Sequence, residues 1–99
     1  MVLNVNAASV GASAATEARI GTEMAAAVAV ASAALTDVMP MGADLDSLQF
    51  AAALNAIGAV YLETAIEHLA NRGLFAEAQN LAAATYIATE AINDTALSL

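Results

Sequence analysis

Glu63, Glu67 and His68 form the densest group of titratable side chains in the sequence, and carboxylates beside an imidazole are what a metal centre or a general acid–base pair requires. Metal sites in helical bundles use Glu-x-x-His pairs that converge from facing helices. Here the spacing is Glu-x-x-x-Glu-His, and neighbours such as residues 67 and 68 diverge by about 100° around a helix. The group therefore reads as a solvated acidic face with a partly buried histidine. Asp44 and Asp46 match the first two ligand positions of a calcium loop, but Leu48, Gln49 and Asn55 fall where a third ligand, a glycine and the bidentate glutamate belong. Ser9, Ser13, Ser32, Ser47 and Ser98 lack the setting of an activated nucleophile, and no glycine-rich phosphate loop is present. The absence of cysteine excludes disulfides and thiol chemistry. No catalytic, cofactor or metal site is assigned, and the chain reads as a non-enzyme.

One pair is left. Tyr86 and Glu90 are four residues apart, which on a helix stacks them on one face. The ordinary role of such a pair is local helical pairing; its setting, at the end of a long alanine-rich stretch in a chain with only two tyrosines, suggests that the pair is read by another molecule.

Charge narrows the partners. The 99 residues carry ten acids against Arg19 and Arg72, a formal charge of −8. Binding to nucleic acid rests on cations that neutralise phosphates, and anionic membrane surfaces repel the same sign, so neither is expected. Hydrophobic content reaches 61%, yet most of it is alanine. The uncharged runs are 13 residues at Met24–Thr36 and 16 at Ser47–Leu62, shorter than the roughly 20 of a spanning helix, so no transmembrane segment is read. The N-terminus lacks the basic region of a conventional signal peptide and places Glu17 and Glu23 ahead of its most apolar run.

The elements that position these residues follow from periodicity. Apolar residues recur in steps of three and four through Ile20, Met24, Val28 and Leu35, which predicts a first helix over about residues 7–37, capped by Asn6 or Ser9. Pro40 pushes Met39 away from helical angles and Gly42 permits a turn, so 38–45 reads as the connection. Asp44 or Asp46 can cap a second helix over about 46–90, Asp46 with Gln49 approximating a capping box. Along it Leu48, Leu62, Ile66 and Leu69 lie on one side, with Asn55 among them. Leu54, Ile57, Tyr61 and Phe75 lie on a second, together with Ala65, His68, Arg72, Gln79, Ala82 and Tyr86. Gly73 is a weak point, and 93–99 reads as a flexible tail. Met39 and Met41 at the tip read as closing the end of a bundle.

The expected fold is all-α: residues 1–99 as a single domain, a long antiparallel two-helix hairpin. A hairpin buries one stripe per helix, and a helix apolar on two sides calls for a second packing surface. The simplest completion is a four-helix bundle shared with a partner chain. The large residues named above are thus candidates for the hairpin or partner interface.

The alanine-rich first helix, the turn PMGADLDSLQFAA with Ala43-Asp44 and Ser47, and TYIATEAIN near the end together resemble the PE family of mycobacterial type VII secretion (ESX) substrates across nearly the whole chain. Ala7 and Ala8 stand where that family has its Pro-Glu pair, so the resemblance is to a divergent or PE-like member. It implies a helical hairpin in a heterodimeric four-helix bundle with a PPE-type protein, and a type VII chaperone acting through the PPE partner. It also implies a Tyr-x-x-x-Asp/Glu secretion signal, which falls on Tyr86 and Glu90, and a secreted or cell-envelope location after cytoplasmic assembly. The alternative from the residues alone is a cytosolic, self-associating alanine-rich bundle or adaptor with no export role.

Overall fold

A computed structural model describes residues 4–98. The chain is an all-α helical hairpin: α1 spans Ala7–Thr36 and α2 spans Leu45–Leu97, 30 and 53 residues long. Alanine, the best helix former, dominates both. Threonine, a poorer one, returns its hydroxyl to the carbonyl one turn back at Thr16, Thr36, Thr64, Thr85 and Thr95, so none competes with the backbone ladder from outside.

The ends have specific causes. Asn6 caps α1: its side-chain oxygen accepts the Ser9 amide at 3.1 Å and its carbonyl accepts the Val10 amide at 3.2 Å. A proline ring clashes with the carbonyl four residues earlier, and for Pro40 that residue is Thr36, the last of α1. At the start of α2 the cap is Asp44, which accepts the Ser47 amide at 3.0 Å and the Ser47 hydroxyl at 2.8 Å. The Asp46–Gln49 capping box does not form, because α2 already begins at Leu45 and places Asp46 inside its first turn. Gly42 serves the turn by its missing side chain, since no described residue has a positive φ; a Cβ there would meet the Asp44 carboxylate at 2.8 Å.

α2 runs unbroken through Gly73 and past residue 93 to Leu97, longer than the expected helix over about 46–90 with a tail from 93. No proline or glycine follows Gly73, alanine favours continuation, and the Ser98 amide and hydroxyl close on Asp94 and Thr95. Of that expected tail, Leu99 lies outside the described residues.

Contacts cluster into two compact units, each antiparallel. One holds Thr22–Ala70 and the other the chain up to Gly21 with the chain from Asn71. In the first, the turn is clamped by Asn55, whose side chain accepts the Val38 amide at 2.7 Å and donates to the Val38 carbonyl at 3.3 Å. Here the backbones also approach closely: a Cβ on Gly58 would overlap the Leu35 carbonyl oxygen and lie 2.6 Å from its carbon. In the second unit Arg72 pairs with Glu17 at 2.8 Å, Gln79 donates to the Ser13 hydroxyl at 3.0 Å, and Gly11 faces Ala83.

The inward positions of α2 are 51, 55, 58, 62, 65, 69, 72, 76, 79 and 83, alternating steps of four and three as in a coiled-coil seam. Small and polar residues occupy most of them. Among the described residues the buried ones are Ala14, Ala51, Ala76, Ala83 and Gly58. The seam is thus narrow, and larger side chains are displaced to the flanks.

Candidate protein-interaction site

The interface candidates divide by exposure. Ile20, Met24, Val28 and Leu35 of α1 and Leu62 and Leu69 of α2 are half-buried in the hairpin. Leu48 and Ile66, read onto the same side as Leu62, are exposed; Asn55, Leu62 and Leu69 instead share the seam with Ala65, Arg72 and Gln79 from the other stripe, whose Ala82 is half-buried beside it. Close backbone approach selects the small side chain over the large one, and a strict 3.5-residue repeat drifts against the 3.6-residue helix.

The large apolar residues of the second stripe face outward. Leu54, Ile57, Tyr61 and Phe75 are all exposed, Ile57 at 67% and Tyr61 at 62%. Their spacing puts the first three on one face, where Ala56, Ile57, Val60 and Tyr61 form an open apolar patch. His68, one heptad beyond Tyr61 in the same unit, is exposed as well. The expectation of a partly buried histidine therefore fails, because α1 does not cover that flank. Met39 and Met41 are exposed at 77% and 87%, so within this chain they close nothing.

The chain exposes 7405 Å², against about 5,200 Å² for a folded monomer of this mass.

Tyr86 and Glu90 lie in the second unit. With Asn4, Val5, Ala7 and Ile87 they line a groove of about 500 Å³, so residues from the start of the sequence form one wall of the site. Tyr86 is 42% exposed and Glu90 is exposed. Glu63 and Glu67 are exposed as well, and the described residues contain no cluster of three or more His, Cys, Asp or Glu that could hold a metal.

By length and composition both helices are long and apolar enough to cross a membrane. The charge-free runs that argued otherwise in the sequence are shorter than a span, but a span tolerates an occasional charge.

Sequence reasoning missed Gly58, Asn55 and the Glu17–Arg72 pair. In the 3-4 spacing of the seam Glu17 falls at an inward position, where a lone charge calls for a partner of opposite sign.

Comparison with curated proteins and with solved structures gives no match. The sequence pattern of the PE family, by contrast, matches residues 3–93, a stretch that takes in all of α1, the clamped turn, the outward apolar row and the Tyr86–Glu90 groove. On that match the chain belongs to the PE family.

Proposed function

We propose that this chain is a non-enzymatic interaction module exported by a type VII system. In this reading it assembles with a PPE-type partner against the outward row of α2 and presents Tyr86 and Glu90 as its export signal. The observation that carries the reading is the inversion of side-chain size: alanine and glycine fill the seam, whereas Leu54, Ile57, Tyr61 and Phe75 face out. A chain with this arrangement gains little by folding alone and much by covering that row, at about 25 cal/mol per Å² of apolar surface. Membership of the PE family supports an association with type VII secretion and a partner of the PPE class. A chaperone of the system would act through that partner.

A protein partner fits the row better than lipid does. The Glu17–Arg72 pair sits at the seam, and Glu63, Glu67 and Glu77 are spaced along α2, charges that are costly within a bilayer. The experiment is co-expression with a PPE protein. Ile57→Asp places a carboxylate in an apolar interface, at a cost of several kcal/mol, and is expected to abolish co-purification. Tyr86→Ala is expected to leave the complex intact and remove the protein from the culture medium. Normal co-purification of the first variant refutes the interface, and normal export of the second refutes the signal.

A further inference from the structure

We infer that the export signal is a composite of both ends of the hairpin: Asn4, Val5 and Ala7 form part of the surface that is read together with Tyr86 and Glu90. This deepens the proposed function and rests on its assignment of Tyr86 and Glu90.

Tyr86, Ile87 and Glu90 occupy a single helix, which by itself presents a convex surface. The concavity arises because Asn4, Val5 and Ala7 stand beside them and supply the opposite wall. Its volume of about 500 Å³ is within the range of pockets that accept a ligand-sized group. Val5, Ala7 and Ile87 give it an apolar body, the Tyr86 ring adds an aromatic face, and Glu90 and Asn4 add polar groups. Among the described residues Glu90 is the one charged side chain lining it. An occupant that matches this lining is a protein segment with an apolar side chain for the body of the groove and an N–H donor or cation for Glu90.

The two walls are held in register by the hairpin. Asn6 fixes the start of α1 through its cap on Ser9, Gly11 faces Ala83, which a Cβ at position 11 would meet at 4.0 Å, and Gln79 bonds Ser13. These contacts place the N-terminal wall within the same compact unit as the signal pair. A linear four-residue spacing recurs easily in acidic helices; a groove with a wall from the other end of the sequence exists only in the folded hairpin. The composite gives the export machinery a means to distinguish folded cargo from an unfolded chain carrying the same motif.

The test uses the full chain expressed with its PPE partner in the exporting bacterium, with export and complex recovery both measured. Val5→Ser strips the apolar wall, Ala7→Leu fills the groove, and Val5→Ile is the conservative control. The composite predicts that Val5→Ser and Ala7→Leu each lower export by about tenfold or more, equivalent to about 1.4 kcal/mol of recognition. Complex recovery and melting temperature stay at the wild-type level and Val5→Ile exports normally. Near-normal export of both Val5→Ser and Ala7→Leu, in a background where Tyr86→Ala is not exported, overturns the composite and leaves the signal standing. Normal export of Tyr86→Ala overturns the signal itself, and the composite with it.

Discussion

Replacing Gly58 by alanine tests the packing of the hairpin where the two backbones come close. In an open helix the change is favourable by about 1 kcal/mol, since glycine carries more backbone entropy in the unfolded chain. At Gly58 the new Cβ would overlap the Leu35 carbonyl oxygen, with the carbonyl carbon at 2.6 Å and the Cα at 3.3 Å. All three atoms are backbone, so no rotamer change relieves the contact and the helices must part locally. Overpacking of this kind costs about 1–3 kcal/mol, and parting the helices also strains the Asn55–Val38 clamp three residues away on α2. Those losses outweigh the propensity gain, for a net destabilisation of about 2 kcal/mol. Gly21 and Gly73 have nothing within 4 Å of an added Cβ, so the same substitution there is expected to stabilise by about 0.5–1 kcal/mol. Thermal unfolding of the purified complex, followed by circular dichroism, reads the difference. Gly58→Ala should lower the melting temperature by roughly 10 °C, and Gly21→Ala and Gly73→Ala should raise it by a few degrees. A Gly58→Ala protein that melts at or above wild type refutes the close approach.

Three further perturbations follow from the turn and the seam. Asn55→Ala leaves the Val38 amide without its acceptor and should cost about 1–3 kcal/mol; hydrogen exchange at Val38 should accelerate, and unchanged protection there would rule the clamp out. The Ser47 amide and hydroxyl hold the Asp44 carboxyl below its ordinary value of 3.8. Its folded-state pKa is therefore the lower one, so the cap contributes fully above about pH 4 and is lost as pH falls through the depressed value. Asp44→Asn keeps an acceptor at the cap without the titrating charge, so stability should fall more steeply for wild type than for the variant below about pH 4, and parallel curves would contradict the assignment. A double-mutant cycle on Glu17→Gln and Arg72→Met should give a coupling of about 0.5–1 kcal/mol, the range for a pair still 26–28% exposed; a coupling of zero would mean that the pair is incidental to the seam.

The hairpin itself was legible because its signals are local. Pro40 and the Asp44–Ser47 spacing punctuate a sequence otherwise suited to helix, and steps of three and four mark both arms. The assignment of faces was less legible, since size alone misleads where two backbones nearly touch. Leu48 and Ile66 look like core residues and are exposed, whereas Ala51, Gly58 and Ala76 look neutral and are buried. An inverted seam is visible in a sequence only when the 3-4 spacing is followed through alanine and glycine and not through the bulky residues between them. The Asn55 clamp was not legible for a related reason: its partner is a backbone amide 17 residues away, and no side-chain pattern announces a backbone partner. The Tyr86–Glu90 pair was legible as a spacing, but its N-terminal wall was not, because only the folded hairpin brings residues 4–7 beside residues 86–90.

The central claim is that α2 carries its large apolar row on the outside because another chain covers it. Amide hydrogen exchange across residues 54–75, for the chain alone as a monomer and for the complex with a PPE partner, addresses this most directly. The account predicts weak protection in the monomer and strong protection in the complex. A monomer whose 54–75 amides are already as protected as those of the complex would contradict it.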